Sequence, residues 1–438
     1  MKVLLIQPPI EDFYTTPIRL YPLGLLYAAA TLRKLGCEVE LLDCLDPPHK
    51  RQLPFPSSFN YLKPHFENNP YLFKAYYRFG ISDQQIMEKI RLVRPDMIGI
   101  SSQFTAYFSC VARLAALIKS ELNVPIFIGG NHATAFRSKI LRRTAAIDDV
   151  LSGPAETALP QFLANRFGGH YSALDWKSMQ PAHDLTSPQE YQIGRKPYVS
   201  LIAGRGCPYG CEFCSVHAMF GRTIDYRPID DVIEEMRWNL QHKGVRIFNF
   251  EDDNLSFNRR WFKTFLQQVI GDPLLKGIEL TAMNGLCYPT LNQELLGLMW
   301  AAGFRRLNLS FVTQNADLRR SLRRPAADSN FSALVASAQK LGFKITAYII
   351  IGLPEQTYDE VRQSIDYLLD LSVLVGPSVF YIPPASELYD KLEISEKVRE
   401  TWELYRSSAF AVETQFIKRE QLIELFAYAR AENMKRRR

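Results

Sequence analysis

Three cysteines within eight residues constrain this chain more than any other feature. Cys207, Cys211 and Cys214 stand in the run Arg205-Gly-Cys-Pro-Tyr-Gly-Cys-Glu-Phe-Cys-Ser215, directly after the apolar stretch 198–203. Three residues and then two between them put three thiols on one short loop. A structural zinc site is the plain alternative, because His217 would complete a Cys3His tetrahedron at plausible spacing. Zinc loops staple small folds, however, whereas this loop follows a strand and opens a long series of strand–helix units. Three thiolates are one short of filling a four-iron cluster, which leaves one iron open to an outside ligand.

The 438 residues suffice for two or three domains with cores of their own. Apolar content of 47% and charged content of 22% are those of an ordinary globular protein. No run of about 18 apolar residues occurs, so no membrane span is expected. The N-terminal segment reads as a first strand and not as a signal peptide. Seven cysteines at irregular spacing argue against a disulfide framework and for a reducing, cytoplasmic compartment. Cys37, Cys44, Cys110 and Cys287 read as small buried hydrophobes. The net charge of +6 is modest, and the basic tail 435–438 reads as solvated, so nucleic acid is not expected as a partner.

Hydrophobic periodicity in the first half places strands at 3–7, 38–43, 96–101, 125–129 and 149–151. Helices fall at 23–35, after the capping box that begins at Ser82, and around 111–122. Strands alternating with helices imply a doubly wound parallel sheet, flavodoxin-like, over residues 1–160. Ligands of such sheets lie at the carboxyl ends of the strands. Those ends read Gln7-Pro-Pro9, Ser101-Ser-Gln-Phe-Thr105, Gly129-Gly-Asn-His-Ala-Thr134 and Ser152-Gly-Pro-Ala-Glu156. His132 reads equally as a ligand contact or as a half-exposed side chain bonded to nearby backbone. A Pro- and aromatic-rich insert, 47–80, carries too many rings for a solvated linker. It is expected to pack as a cluster on the sheet, with a lid over the ligand site as the sharper alternative. Residues 161–196 are turn-rich and read as a connecting segment.

Beyond the cysteine loop the alternation resumes, with strands at 246–250, 279–283, 306–311, 344–351 and 378–382. Helices follow at 229–242, 260–270, 293–302 and 331–341 and from a second capping box at Thr357. Six strand–helix units make a partial parallel barrel over 197–390, open on one side, with its chemistry at the strand ends. Residues 391–438 read as a helical region, with helices at 397–405 and 419–434.

On these residues the chain resembles the radical S-adenosylmethionine (SAM) superfamily from about 195 to 390. The four strand ends of the first half, in their order, look like the cobalamin-binding-type domain found ahead of the radical domain in one large subfamily. The resemblance implies a [4Fe-4S] cluster on Cys207, Cys211 and Cys214, SAM on its open iron, and release of a 5′-deoxyadenosyl radical. It implies SAM contacts at Phe213, at the acidic patch Glu251, Asp252 and Asp253, and at Ser310, Thr313, Gly352 and Tyr381. For cobalamin it implies Ser101, Ser102, Gln103, Gly129, Gly130, Asn131, His132, Gly153 and Glu156. A small-molecule substrate and an external electron donor such as flavodoxin or ferredoxin are implied as partners.

Three departures stand against that pattern. Leu45 holds the place of the histidine that ligates cobalt from below in some relatives. Val312 stands where relatives often keep a ribose-binding glutamate, and Tyr348 replaces a glycine upstream of Gly352. The expected activity is methylation of an unactivated carbon. The alternative is cobalamin-independent radical chemistry, such as cyclisation, rearrangement or carbon–carbon bond formation, with a vestigial or substrate-binding first domain.

Overall fold

The computed structural model describes residues 1–436 apart from 17–20, 47–48, 188–189 and 326–329. The first two residues of the aromatic insert, Pro188 of the connecting segment and the last two of the basic tail therefore lie outside the described residues.

Five parallel strands form the N-terminal sheet: β1 (Lys2–Gln7), β2 (Glu38–Asp43), β3 (Met97–Ser101), β4 (Ile126–Gly129) and β5 (Asp149–Val150). Their spatial order is β2-β1-β3-β4-β5, the flavodoxin-like order, with the strand order reversing between β1 and β3. The helix Asp83–Val93 starts at the expected capping box, Ser82 accepting from the Gln85 N–H while the Gln85 side chain returns to the Ser82 N–H. Near-continuous apolar strands with residues such as Leu4, Ile6, Ile98, Ile100 and Ile128 fully buried are what a sheet covered on both faces requires.

Two helices occupy stretches that the sequence reads as loop or connection. Asn131–Arg143 begins inside the Gly129–Thr134 strand end, and Ala155–Phe167 begins inside the Ser152–Glu156 one and runs into the connecting segment. Pro160 sits inside the second helix and conceals it. The Glu156 carbonyl that the proline leaves free accepts from the Leu174 N–H at 3.0 Å.

The second sheet is built from β6 (Lys196–Leu201), β7 (Ile247–Phe250), β8 (Glu279–Thr281), β9 (Arg306–Val312), β10 (Lys344–Ile351) and β11 (Leu374–Val379). It falls into two parallel triplets, β6-β7-β8 and β9-β10-β11. Single bridges, Leu280 to Phe304 and Leu286 to Leu309, join the triplets into one open, curved sheet. The last strand begins and ends earlier than the 378–382 expected, so Tyr381 and Ile382 lie beyond it. Its pairing to Thr346–Ile351 sets the register, which local periodicity does not see.

Rings of the aromatic insert gather around Phe13: Phe55, Phe59, Phe66, Phe73 and Tyr76 lie with centroids 4.9 to 6.1 Å from it. Phe73 also meets Phe426 of the C-terminal helix Arg419–Arg436, so the insert joins the N-terminal sheet to the end of the chain. None of its described residues lines the cleft below. The helix expected at 397–405 is only Glu396–Glu400, and single turns at Trp402–Leu404 and Ser407–Ala409 replace the rest. Trp402 is buried there against Phe108, His132 and Phe136 of helices that follow strands of the first sheet. Among the described residues no helix is long and apolar enough to cross a membrane.

Candidate active site: a cleft and a chamber that meet

The cysteine loop leaves β6 and is pinned from beneath by the acids that end β7. Buried Asp252 accepts from the Ala203 N–H at 3.1 Å and the Gly204 N–H at 2.6 Å. Asp253 accepts from the Gly206 N–H at 2.9 Å, one residue before Cys207. Burial pushes the Asp252 carboxyl up to about 8 although both amides favour its charged form. Gly206 has φ +89°, and a Cβ there would lie 2.2 Å from the Thr223 carbonyl oxygen, so the entry to the loop requires glycine. Cys211 is buried, while Cys207 and Cys214 are partly exposed. Burial raises the Cys214 thiol to about 11, so its thiolate form needs positive charge from a bound metal centre.

Among the described residues no three His, Cys, Asp or Glu side chains gather closely enough to hold a single metal ion. His217 turns its Nε2 to the Cys207 carbonyl oxygen at 3.2 Å. Three thiols spread along one loop suit a cluster, whose corners lie apart, better than one tetrahedral ion.

Two spaces flank this loop. A chamber of about 1270 Å³, part of it open to solvent, is lined by Phe213, Cys214, Asp252, Asp253, Ile350 and Tyr381, among others. A cleft enclosing about 1500 Å³, part of it open to solvent, lies over the carboxyl ends of the N-terminal strands. Ser101, Gln103, Gly129, Gly130, Asn131, Gly153 and Glu156 all line the cleft, as does Glu251 from the second sheet. Asn131, Met219, Phe220, Asp253 and Asn284 line both spaces, so cleft and chamber adjoin.

The cleft floor is bare backbone at its glycines. Nothing lies within 4 Å of a Cβ built on Gly153, and only Leu151 Cβ, at 4.0 Å, near one on Gly129. Gly130 is required for another reason: φ is +117°, and a Cβ would lie 2.7 Å from the Ser102 carbonyl oxygen. A roomy cradle floored by bare glycine backbone fits a large macrocyclic cofactor, and a chamber bordered by Cys214 and the acidic β7 end fits SAM.

Several expected contacts are placed elsewhere. His132 is buried, not half-exposed, and is absent from the cleft lining. Its ring lies among Phe108, Phe136 and Trp402, Nδ1 bonds Thr105 Oγ1 at 3.0 Å, and burial lowers it to about 3. Glu156 lines the cleft but gives both oxygens to Arg205, at 3.0 and 3.1 Å. Arg205 is itself stacked between Tyr27 and Trp176. Ser102 is buried beneath the cleft, and its Oγ has no partner among the described residues. Ser310 and Thr313 line neither space: Ser310 Oγ accepts from Arg324 at 2.8 Å, and Thr313 Oγ1 accepts from the Asn315 N–H at 3.2 Å. Gly352 is buried against Leu422 of the C-terminal helix.

The departures have local causes. The Tyr348 ring fills the space left by Gly285 and Gly376, where added Cβ atoms would lie 3.3 and 2.3 Å from it. Val312 adopts φ +72°, a strained conformation for a β-branched residue, at a register shift between β9 and β10. Leu45 is buried with Ile10, Phe79, Ala106 and Tyr107. Sequence reasoning missed Asn284, Met219 and Phe220. Asn284 follows the end of β8, so the strand-end rule that found the acids would have found it too.

A family model for the B12 binding domain matches residues 15–163, and one for the radical SAM superfamily matches 201–368. The chain is 24% identical over 434 residues to the cytidylyl-2-hydroxyethylphosphonate methyltransferase of Streptomyces wedmorensis, covering 84% of this chain and 76% of the relative. It is 24% identical over 344 residues to the bacteriochlorophyllide d C-12(1)-methyltransferase of Chlorobaculum tepidum, covering 76% and 73%. Its fold is similar to the radical SAM methyltransferase TsrM of Kitasatospora setae, solved with cobalamin and a [4Fe-4S] cluster. That match has a TM-score of 0.66 at 16% identity and covers 89% of this chain and 74% of the other.

Proposed function

The chain belongs to the radical SAM superfamily and carries a B12 binding domain ahead of its radical domain, and from that premise we propose that it is a cobalamin-dependent methyltransferase acting on an unactivated carbon. The observation that carries this reading is the junction of cleft and chamber at Asn131, Met219, Phe220, Asp253 and Asn284. Ligands held on the two sheets would meet across these side chains. When bound, the [4Fe-4S] cluster, SAM and cobalamin supply the electron-transfer, radical and methyl-transfer chemistry, and the protein supplies position and exclusion of water.

Cys207, Cys211 and Cys214 would hold the cluster, with the loop fixed by Asp252 and Asp253. Asp253, which lines both spaces, offers charge to the ammonium of SAM, with Glu251 beside it on the cleft side, and Phe213, Ile350 and Tyr381 offer apolar walls. Ser101, Gln103 and Asn131 would meet the polar rim of a corrinoid over the bare glycine floor. The loop after β2 offers it Leu45 and no histidine. We place the N-terminal module at 1–160, a connecting segment at 161–196, the radical module at 197–390 and a helical region at 391–438. The substrate is a small molecule, the electron donor a protein such as flavodoxin or ferredoxin, and the compartment the reducing cytoplasm, a reading that the unpaired thiols support.

Anaerobic reconstitution is expected to load about four irons per chain in the wild type and almost none in Cys211→Ala. With dithionite and SAM, the wild type should then release 5′-deoxyadenosine, and hydroxocobalamin should co-elute with it on gel filtration. Stoichiometric zinc in a colourless protein would overturn the radical assignment. A loaded cluster with no retained corrinoid would overturn the cobalamin half alone.

A further inference from the structure

The segment that follows β9 returns to the cysteine loop. The Glu212 N–H donates to the Leu322 carbonyl at 3.2 Å, and the Cys211 thiol to the Arg323 carbonyl at 3.8 Å. Arg323 takes a left-handed turn, φ +52°, that separates two consecutive guanidinium groups. Arg323 turns outward to Glu212 and Glu387. Arg324 turns inward and is half-buried. Its Nη2 donates to Ser310 Oγ at 2.8 Å, to the Ser310 carbonyl at 2.9 Å and to Cys287 Sγ at 3.8 Å, and its Nη1 reaches Cys211 Sγ at 4.0 Å.

Among the described residues no carboxylate pairs with Arg324. Its partners are a hydroxyl, a carbonyl and two sulfurs. A half-buried guanidinium with no carboxylate beside it lacks a counter-charge, and with a cluster bound the anion nearest it would be the Cys211 sulfur. We propose that Arg324 is a positioning residue for the metal centre, a fixed cation against the Cys211 thiolate that raises the reduction potential of the cluster. A positive charge and an N–H···S contact both favour the more negative, reduced state, and such outer partners tune a centre without touching its substrate. Ser310, expected from the resemblance to contact SAM, serves here to hold the guanidinium in place.

This inference rests on the cluster proposed above, and the test separates the two. The midpoint potential of the reconstituted cluster is measured by electron paramagnetic resonance during an anaerobic redox titration, with no SAM or substrate present. At a fixed poise, Arg324→Gln is expected to lower the ratio of reduced to oxidised cluster about tenfold, equivalent to about 59 mV for one electron. Arg324→Lys should restore most of it. Ser310→Ala, which frees the guanidinium without removing it, should shift the ratio the same way by less, and it carries the test if Arg324→Gln retains no iron. A wild-type cluster whose potential is unchanged in Arg324→Gln, or in Ser310→Ala where the first variant holds no iron, overturns the role of Arg324 alone. Absence of any cluster in the wild type overturns the reading beneath it.

Discussion

At the ends of the N-terminal strands the chain presents glycine backbone and small polar side chains, whereas at the ends of the second sheet it presents three thiols and a run of acids. In the first region the charges are cancelled within the protein. Glu156 is paired with Arg205, and His132 is kept neutral among aromatic rings. In the second, Asp252 and Asp253 tie down the cysteine loop, while Glu251 and Asp253 also border the ligand spaces. The cleft is therefore built to recognise by shape, and the chamber to recognise by charge. Where a residue of the wrong kind stands in either region, it serves the protein and not the ligand.

The largest effect that would test this contrast comes from the pair bridging the two regions. Glu156→Gln leaves Arg205 buried without its counter-charge, and breaking a buried pair in this way costs about 3–5 kcal/mol. Denaturant titration should show that loss, while Glu156→Gln combined with Arg205→Met should recover much of it. Recovery of corrinoid retention in the double variant would confirm that the pair is structural; loss of retention at restored stability would make Glu156 a ligand contact after all.

A smaller effect is expected at the glycine floor. Gly130→Ala forces a Cβ toward the Ser102 carbonyl at a positive φ, a strain of about 1–3 kcal/mol. Hydroxocobalamin retention should fall in gel filtration while iron loading stays at the wild-type level. Equal loss of both would mean that shape and charge are not divided between the regions as argued.

The smallest effect at neutral pH concerns His132. Its folded value, about 3, lies below the usual histidine value of about 6.5, so between these the unfolded chain binds more protons than the folded one. Stability should fall as pH drops through that window, by about 2 kcal/mol between pH 6.5 and 5. Thermal melts of His132→Gln should lack this acid sensitivity and should leave corrinoid retention at pH 7.5 unchanged. An altered cleft at neutral pH would return His132 to the ligand set.

Much of this arrangement is legible before folding is considered. The spacing of Cys207, Cys211 and Cys214 is a local matter, since one loop sets the reach of all three thiols. The strands β2 and β10 and the helix Phe331–Leu341 follow from periodicity and caps, and the capping boxes at Ser82 and Thr357 form as expected. Pro160 hid a helix because its lost hydrogen bond is made good by Leu174, eighteen residues past the Glu156 carbonyl that accepts it.

The direction in which polar side chains spend their hydrogen bonds was decided only in three dimensions. Asp252 and Asp253 are neighbours in a run of acids, yet one is buried on two amides and the other borders both ligand spaces. Nothing in the run distinguishes them, because the difference comes from β6 and its loop passing above. Likewise His132 follows a glycine pair at a strand end but faces Trp402, from the far end of the chain. Sequence determines which residues arrive at the strand ends, because periodicity and local spacing are short-range. Tertiary structure decides which of them remain free for a ligand, because burial and pairing depend on segments that are distant along the chain.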